Sequence, residues 1–320
     1  MSSGKDPLPP YFNINPARAA ERLSEPIDTA RFAKAAAFAA KGRQDLAEHG
    51  YAPDGRKRLR RFSTWEVCRY LIPVAPAHFR RVLLKNPDLP QGQGDCIREN
   101  TEGEYSGAGG RVHQGKGNEV AVETAIFTRE GVERILRFAF KQAQNRRRHL
   151  TSVTKSNAQK YSMVFWDEVT RELAPEYPDV TVSQMHIDAM AAKMVMAPQD
   201  LDVIVASNLF GDILTDLGAA IQGGLGFAAS ANINPDRTAP SMFEPVHGSA
   251  PDIAGKNIAN PVAAIWSGAQ MLEHLGETSA ATAVLASIEA ATTRGIGIRP
   301  GLNSTDEITA AILAALEEQA

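Results

Sequence analysis

The sequence is poor in the features that would place it outside a reducing compartment or in a membrane. It has two cysteines, Cys68 and Cys96, in 320 residues. They cannot form a disulfide framework, and they fit a cytoplasmic protein. No apolar run is long enough to span a bilayer. Residues 1–7 lack the apolar core of a signal peptide. No G-x-x-x-x-G-K-[ST] occurs. The lysine neighbourhoods Gly115-Lys116-Gly117 and Gly255-Lys256-Asn257 lack the glycine cradle and the hydroxyl that phosphate binding needs. P-loop ATP chemistry is thereby excluded. What is present is a soluble composition, 43% hydrophobic and 22% charged, which excludes a wholly disordered or collagen-like chain. The length accommodates two domains.

The net charge of −3 hides a split. Residues 1–94 carry 16 Lys+Arg against 9 Asp+Glu, while residues 95–320 carry 18 against 28. Such asymmetry points to different partners for the two parts. Residues 1–16, with four prolines, read as a flexible arm. A helix is expected over about 29–48, capped by Asp28. A basic cluster follows: Arg56, Lys57, Arg58, Arg60 and Arg61. Ser63 and Glu66 have capping-box spacing, which predicts a short helix over 64–71. A second is predicted over 77–84, after Pro73 and Pro76. Two short helices beside basic residues have the form of a helix-turn-helix, and equally of a solvated basic helical hairpin. Residues 59–92 resemble the N-terminal DNA-recognition region of plasmid-partition ATPases. That resemblance makes residues 56–85 a candidate for weak DNA binding.

Beyond residue 95 the pattern alternates between strand and helix. The glycine run 107–110 reads as a loop. Strands are expected over 119–127, 150–154, 180–186 and 203–206. Helices are expected over 128–143, 163–173, 188–197, 212–222 and 261–275. The helix over 128–143 would bury Val132, Ile135, Leu136 and Ala139. An Ala-rich helix after 279 and a last one from about 304 are scaffold features. This alternation defines an α/β sheet.

The acidic residues carry the sharpest signal. Asp212 and Asp216 follow a buried strand and lie four apart, so a helix sets both carboxylates on one face. A cation explains that repulsive pair. Two exposed aspartates favoured by the helix dipole explain it equally well. Asp188, at a neighbouring strand end, is a candidate third ligand. Carboxylates suit Mg²⁺ or Mn²⁺. The loop Glu244–Pro261 leads into a helix, and there Asp252 could bond ribose hydroxyls and reject a 2′-phosphate.

Together these segments resemble the metal-dependent β-decarboxylating dehydrogenases, the isocitrate, isopropylmalate and tartrate/D-malate family. The resemblance covers about residues 96–320. Leu217, the run from Asn232 to Arg237 and the run from Lys256 to Asn260 favour the tartrate/D-malate branch. It implies NAD- and Mg²⁺- or Mn²⁺-dependent oxidation, with decarboxylation, of a small 2-hydroxy acid. It assigns Arg98 to the substrate carboxylate, Tyr105 to protonation of the enol and Lys155 to deprotonation of the substrate hydroxyl. It assigns Asp188, Asp212 and Asp216 to the metal, and His247, Gly248, Ala250, Asp252 and Asn260 to the cofactor. Lys155 and Asp188 would come from the partner subunit of a homodimer.

The fold expected is therefore α/β, isopropylmalate dehydrogenase-like but lacking its N-terminal part, preceded by a small, mainly α helix-turn-helix-like region. Residues 1–94 would form the basic region, 95–244 the substrate, metal and dimerisation domain, and 245–320 the C-terminal return of the nucleotide-binding domain. That return would find its strand partners absent, and activity would be impaired. A DNA-binding remnant fused to an inactive dehydrogenase fragment is the alternative.

Overall fold

Nine strands and seven α-helices are seen among the residues that the computed structural model describes, 65–71, 93–237, 240–297 and 301–318. The strands are β1 Trp65–Leu71, β2 Gln93–Glu99, β3 Gly103–Val112, β4 Val120–Ile126, β5 His149–Thr154, β6 Thr181–His186, β7 Val203–Ala206, β8 Ala229–Ile233 and β9 Met242–Pro245. The helices are α1 Arg129–Gln144, α2 Ser162–Leu173, α3 Ile187–Met196, α4 Asn208–Gln222, α5 Val262–Leu275, α6 Thr278–Thr293 and α7 Thr305–Glu317. Seven strands form one sheet in the order β6-β5-β7-β2-β1-β8-β9. β6, β5, β7 and β2 run parallel. β1 is antiparallel to both β2 and β8, and β9 is antiparallel to β8. β3 and β4 form a separate hairpin.

The parallel strands are built as strands buried on both faces must be. Every residue of β7 is buried, and so is β5 beyond His149. Helix α1 covers the sheet with Val132, Ile135, Leu136 and Ala139, all fully buried, as their spacing predicts. Its first turn is fixed by Thr128, whose hydroxyl accepts from Gly131 N at 3.0 Å. Trp166 of α2 is fully buried and donates its indole N–H to Ser152 at 2.9 Å, which removes the cost of burying a polar group. Phe140 stacks on Tyr177 with centroids 4.5 Å apart.

Three expectations are corrected. Residues 65–71 form a strand, so the first helix of the helix-turn-helix-like region does not exist. The segment Trp-Glu-Val-Cys-Arg-Tyr-Leu is rich in aromatic and β-branched residues. Its position between β2 and β8 supplies ladder partners on both edges, which overrides the local capping-box pattern. The second expected helix, over 77–84, lies outside the described residues, as do the expected arm over 1–16, the helix over 29–48 and the basic cluster over 56–61.

The glycine run 107–110 lies inside β3 rather than in a loop. A Cβ on Gly109 would sit 2.1 Å from the Val122 carbonyl oxygen, so the close pairing of β3 with β4 needs glycine there. Finally, β8 pairs with β1, so the segment expected to form a separate, mainly α region contributes a strand to the sheet of the α/β part. Beyond residue 245 the described residues form helices and no strand. α5 packs on β8 and β9, α6 on α5, and α7 on α6. α7 opens with a full capping box between Ser304 and Glu307.

Candidate active site

The C-terminal ends of the parallel strands carry the polar residues, where open α/β sheets place their ligands. Arg98 stands near the end of β2. Asp212 and Asp216 lie on α4, which begins just after β7. Helix α4 starts at Asn208, four residues before the position predicted from sequence. The reason is tertiary. Ser207 donates its hydroxyl to Glu104 Oε1 at 2.8 Å, and Leu209 N donates to Glu104 Oε2 at 3.1 Å. The Glu104 carboxylate on β3 thus binds the helix N-terminus, where anions are favoured.

Two side chains converge on Asp212. Arg98 Nη1 lies 2.6 Å from Asp212 Oδ1. The Tyr105 hydroxyl donates to Asp212 Oδ2 at 3.2 Å. The Arg98 guanidinium also lies 5.8 Å from the centre of the Tyr105 ring. Burial, then the Asp212 charge, push the Tyr105 phenol above its ordinary value, so at neutral pH it is a proton donor. Burial and Asp212 likewise raise the Asp216 carboxyl, with Arg98 opposing them. Two carboxylates one turn apart, one resisting ionisation through burial and then the other's charge, form a donor set that a hard divalent cation fits.

Lys155 and Asp188 form a second cluster. Lys155 follows β5 and Asp188 lies in the first turn of α3, after β6. These strands are neighbours, with Thr154 opposite His186. Lys155 Nζ donates to Asp188 Oδ1 at 2.6 Å, and that bond is the main cause of the lowered Asp188 carboxyl pKa. Among the described residues, no three His, Cys, Asp or Glu side chains of one chain are gathered to hold a metal. Asp188 therefore does not complete the Asp212–Asp216 pair within one chain. The sequence-predicted residues Arg98, Tyr105, Asp212 and Asp216 thus form one cluster, and Lys155 and Asp188 another.

The loop from Val246 to Pro261 carries the expected cofactor residues. His247 Nδ1 lies 2.8 Å from the Gly248 carbonyl oxygen. Gly248 and Ala250 both have positive φ, +69° and +41°. For Ala250 that conformation stores about 1 kcal/mol or more of strain. Such strain collects at ligand-binding turns. Asp252 is exposed. Asn260 is committed to the fold: its Nδ2 donates to the Gly297 carbonyl at 3.0 Å, and its Oδ1 accepts from Val262 N at 3.0 Å. It shapes the loop. Asn257 ties the same loop to α7, donating Nδ2 to Asp306 Oδ2 at 2.9 Å.

Sequence reasoning missed Glu102, Glu104 and Asn208. All three act across more than one hundred residues or between elements, and no local spacing marks them.

An arginine, a tyrosine and paired aspartates thus stand together beside the strand ends of an α/β sheet. The sequence profile of the isocitrate/isopropylmalate dehydrogenases matches residues 73–312, and the chain belongs to that family. It is 55% identical over 233 residues to a probable tartrate dehydrogenase/decarboxylase of Agrobacterium vitis, covering 70% of this chain and 65% of that relative. It is 57% identical over 199 residues to the decarboxylating D-malate dehydrogenase of Escherichia coli (strain K12), covering 60% of this chain and 55% of the relative. The crystal structure of isocitrate dehydrogenase from Methylococcus capsulatus superposes with a TM-score of 0.70 at 37% identity, over 81% of this chain and 75% of that one. The chain thus spans between half and a little under two thirds of the length of the curated relatives it matches.

Proposed function

We propose that the chain is an NAD- and Mg²⁺- or Mn²⁺-dependent dehydrogenase that oxidises, with decarboxylation, a 2-hydroxy acid such as tartrate or D-malate. The observation that carries this reading is the Arg98–Asp212–Tyr105 cluster, with Asp216 one helical turn beyond. It combines a carboxylate anchor, a cation site and a proton donor. The names of the relatives, tartrate dehydrogenase/decarboxylase and D-malate dehydrogenase, support the substrate class.

Each side chain then has a task. Arg98 binds the substrate carboxylate through its planar fork. Asp212 and Asp216 hold the cation, with Asp188 of a second copy as the further ligand. When bound, the cation would supply Lewis-acid polarisation of the substrate oxygen, and NAD would supply the hydride acceptor. Lys155 Nζ of the second copy takes the hydroxyl proton. Tyr105, held protonated by burial and Asp212, delivers its Oη proton to the enol carbon. His247, Gly248, Ala250 and Asp252 carry the cofactor on their loop, and Asp252 selects NAD by repelling a 2′-phosphate.

The two separate clusters support a homodimer. Lys155 and Asp188 travel as a pair, so one subunit can present both to the other's Asp212 and Asp216. The β3–β4 hairpin supports the same reading. It exposes Val112, Val120, Val122 and Ile126, an apolar surface that monomers rarely leave to water. Within this scheme residues 95–244 act as the substrate, metal and dimerisation part, and 245–320 as the cofactor-bearing part. No helix among the described residues is long and apolar enough to cross a membrane, and we place the enzyme in the cytoplasm.

The test is NADH formation by the purified chain with D-malate or tartrate and Mn²⁺. Metal-dependent turnover that is lost in D212N is expected. A folded dimer that produces no NADH from either acid would overturn the assignment.

A further inference from the structure

The amide of Asn208 is spent in an unusual way. Asparagine at a helix start ordinarily bonds the backbone of its own first turn. Here Asn208, the first residue of α4, is only 3% exposed, and its side chain reaches away from the helix. Its Oδ1 accepts from Arg98 Nε at 3.1 Å and from Arg98 Nη2 at 2.9 Å. Its Nδ2 donates to the Glu102 carbonyl oxygen at 2.7 Å. Every polar atom of a buried amide therefore has a partner, and two of those bonds lie along one edge of a guanidinium.

Asn208 and Asp212 are four apart, so one face of α4 meets two edges of Arg98. The amide takes the Nε/Nη2 edge and the Asp212 carboxylate meets Nη1. Bonds at two edges fix both the position and the roll of a planar group, whereas a single ion pair leaves it free to turn.

Two glycines make room for this contact. A Cβ on Gly211 would sit 2.6 Å from Arg98 Cγ, and one on Gly103 would sit 3.3 Å from Asn208 Cβ. The anchor behind Asn208 is also rigid. Glu102, whose carbonyl receives Nδ2, accepts from Thr128 N at 2.8 Å and Thr128 Oγ1 at 2.7 Å, which ties it to the start of α1.

We propose that Asn208 is a positioning residue for substrate binding: it fixes the guanidinium plane of Arg98 toward a substrate carboxylate while leaving its positive charge intact. This rests on the reading of Arg98 as the carboxylate anchor. A carboxamide suits the task better than a carboxylate, because a second acid would neutralise the charge that attracts an anionic substrate.

The test combines calorimetric titration of D-malate into Mn²⁺-loaded protein with ¹⁵N NMR of the Arg98 Nε–H group, assigned by its loss in R98K. Asn208→Ala should weaken D-malate binding about tenfold, the scale of a lost hydrogen bond to a charged group. The double variant R98K/N208A should bind no more weakly than R98K, because Asn208 acts only through Arg98. The Nε–H signal should lose its exchange protection in N208A and keep it in N208D, which retains the acceptor. If N208A folds poorly, N208D decides alone: it should keep the Nε–H protection yet bind D-malate more weakly, because its charge neutralises that of Arg98. Penalties that multiply in the double variant, or an Nε–H signal unchanged in N208A, would overturn the proposal. Wild-type protein that binds no D-malate would overturn the functional reading and this inference together.

Discussion

The Tyr105 hydroxyl donates to Asp212 Oδ2 at 3.2 Å, so the expected proton donor and an expected metal carboxylate share one hydrogen bond. Burial raises the Tyr105 phenol first, and the Asp212 charge adds to it. In D212N the charge is gone and the burial remains. Tyr105 should then titrate at lower pH than in the wild type. The tyrosinate absorbance of D212N, corrected by subtracting D212N/Y105F, reads this directly. An unchanged or higher midpoint would contradict the role given to Asp212.

Lys155 and Asp188 pair on the surface, where water screens the charges and a pair adds little stability. K155M and D188N should therefore melt at the wild-type temperature while losing turnover. A large fall in melting temperature in either variant would indicate a structural role instead.

Glu99, beside Arg98 on β2, is almost fully buried, and burial pushes its carboxyl above the usual range against the pull of Arg134. A carboxyl raised on folding favours the protonated native state. Its contribution is present below the unfolded value of 4.5 and lost as pH rises through the folded value. E99Q cannot ionise and escapes that loss. Its stability relative to wild type should rise as pH increases from about 4 toward neutrality, measured by urea unfolding across pH. A difference that is flat or falls with pH would contradict this.

Gly211 lies under the stem of Arg98, where a Cβ would come within 2.6 Å of Cγ and 2.7 Å of Cβ. These atoms belong to the fixed base of the side chain. Gly211→Ala should cost about 1–3 kcal/mol and raise KM for the hydroxy acid by displacing Arg98. Unfolding and steady-state kinetics measure both.

How much of this was legible in the sequence depends on the range of the forces involved. The helices α1, α2, α5 and α7 follow from local sequence pattern, and side-chain caps at Thr128 and Ser304 open α1 and α7. The start of α4 was misplaced because Glu104, on another element, binds its N-terminus. β1 was misread as a helix because Ser63 and Glu66, and Val67 and Leu71, have helical spacing. Its two ladder neighbours are distant in sequence. Of the hairpin, β4 lies within the strand expected over 119–127, whereas the glycines of β3 read as a loop. Arg98, Tyr105, Asp212 and Asp216 were assigned by resemblance and meet in space. The network of Asn208, Glu102 and Glu104 that orders them appears only once the chain is folded.

The central claim is a site assembled from two half-sites on two subunits, and mixing two inactive variants tests it most directly. K155M and D212N should each be inactive alone. Dissociated and reassembled together in equal amounts, half the dimers are mixed, and each mixed dimer has one intact site. NADH formation from D-malate with Mn²⁺ should then return to about a quarter of the wild-type rate. A mixture that exchanges subunits and stays inactive would show that Lys155 and Asp212 serve the same subunit's site, and would contradict the account.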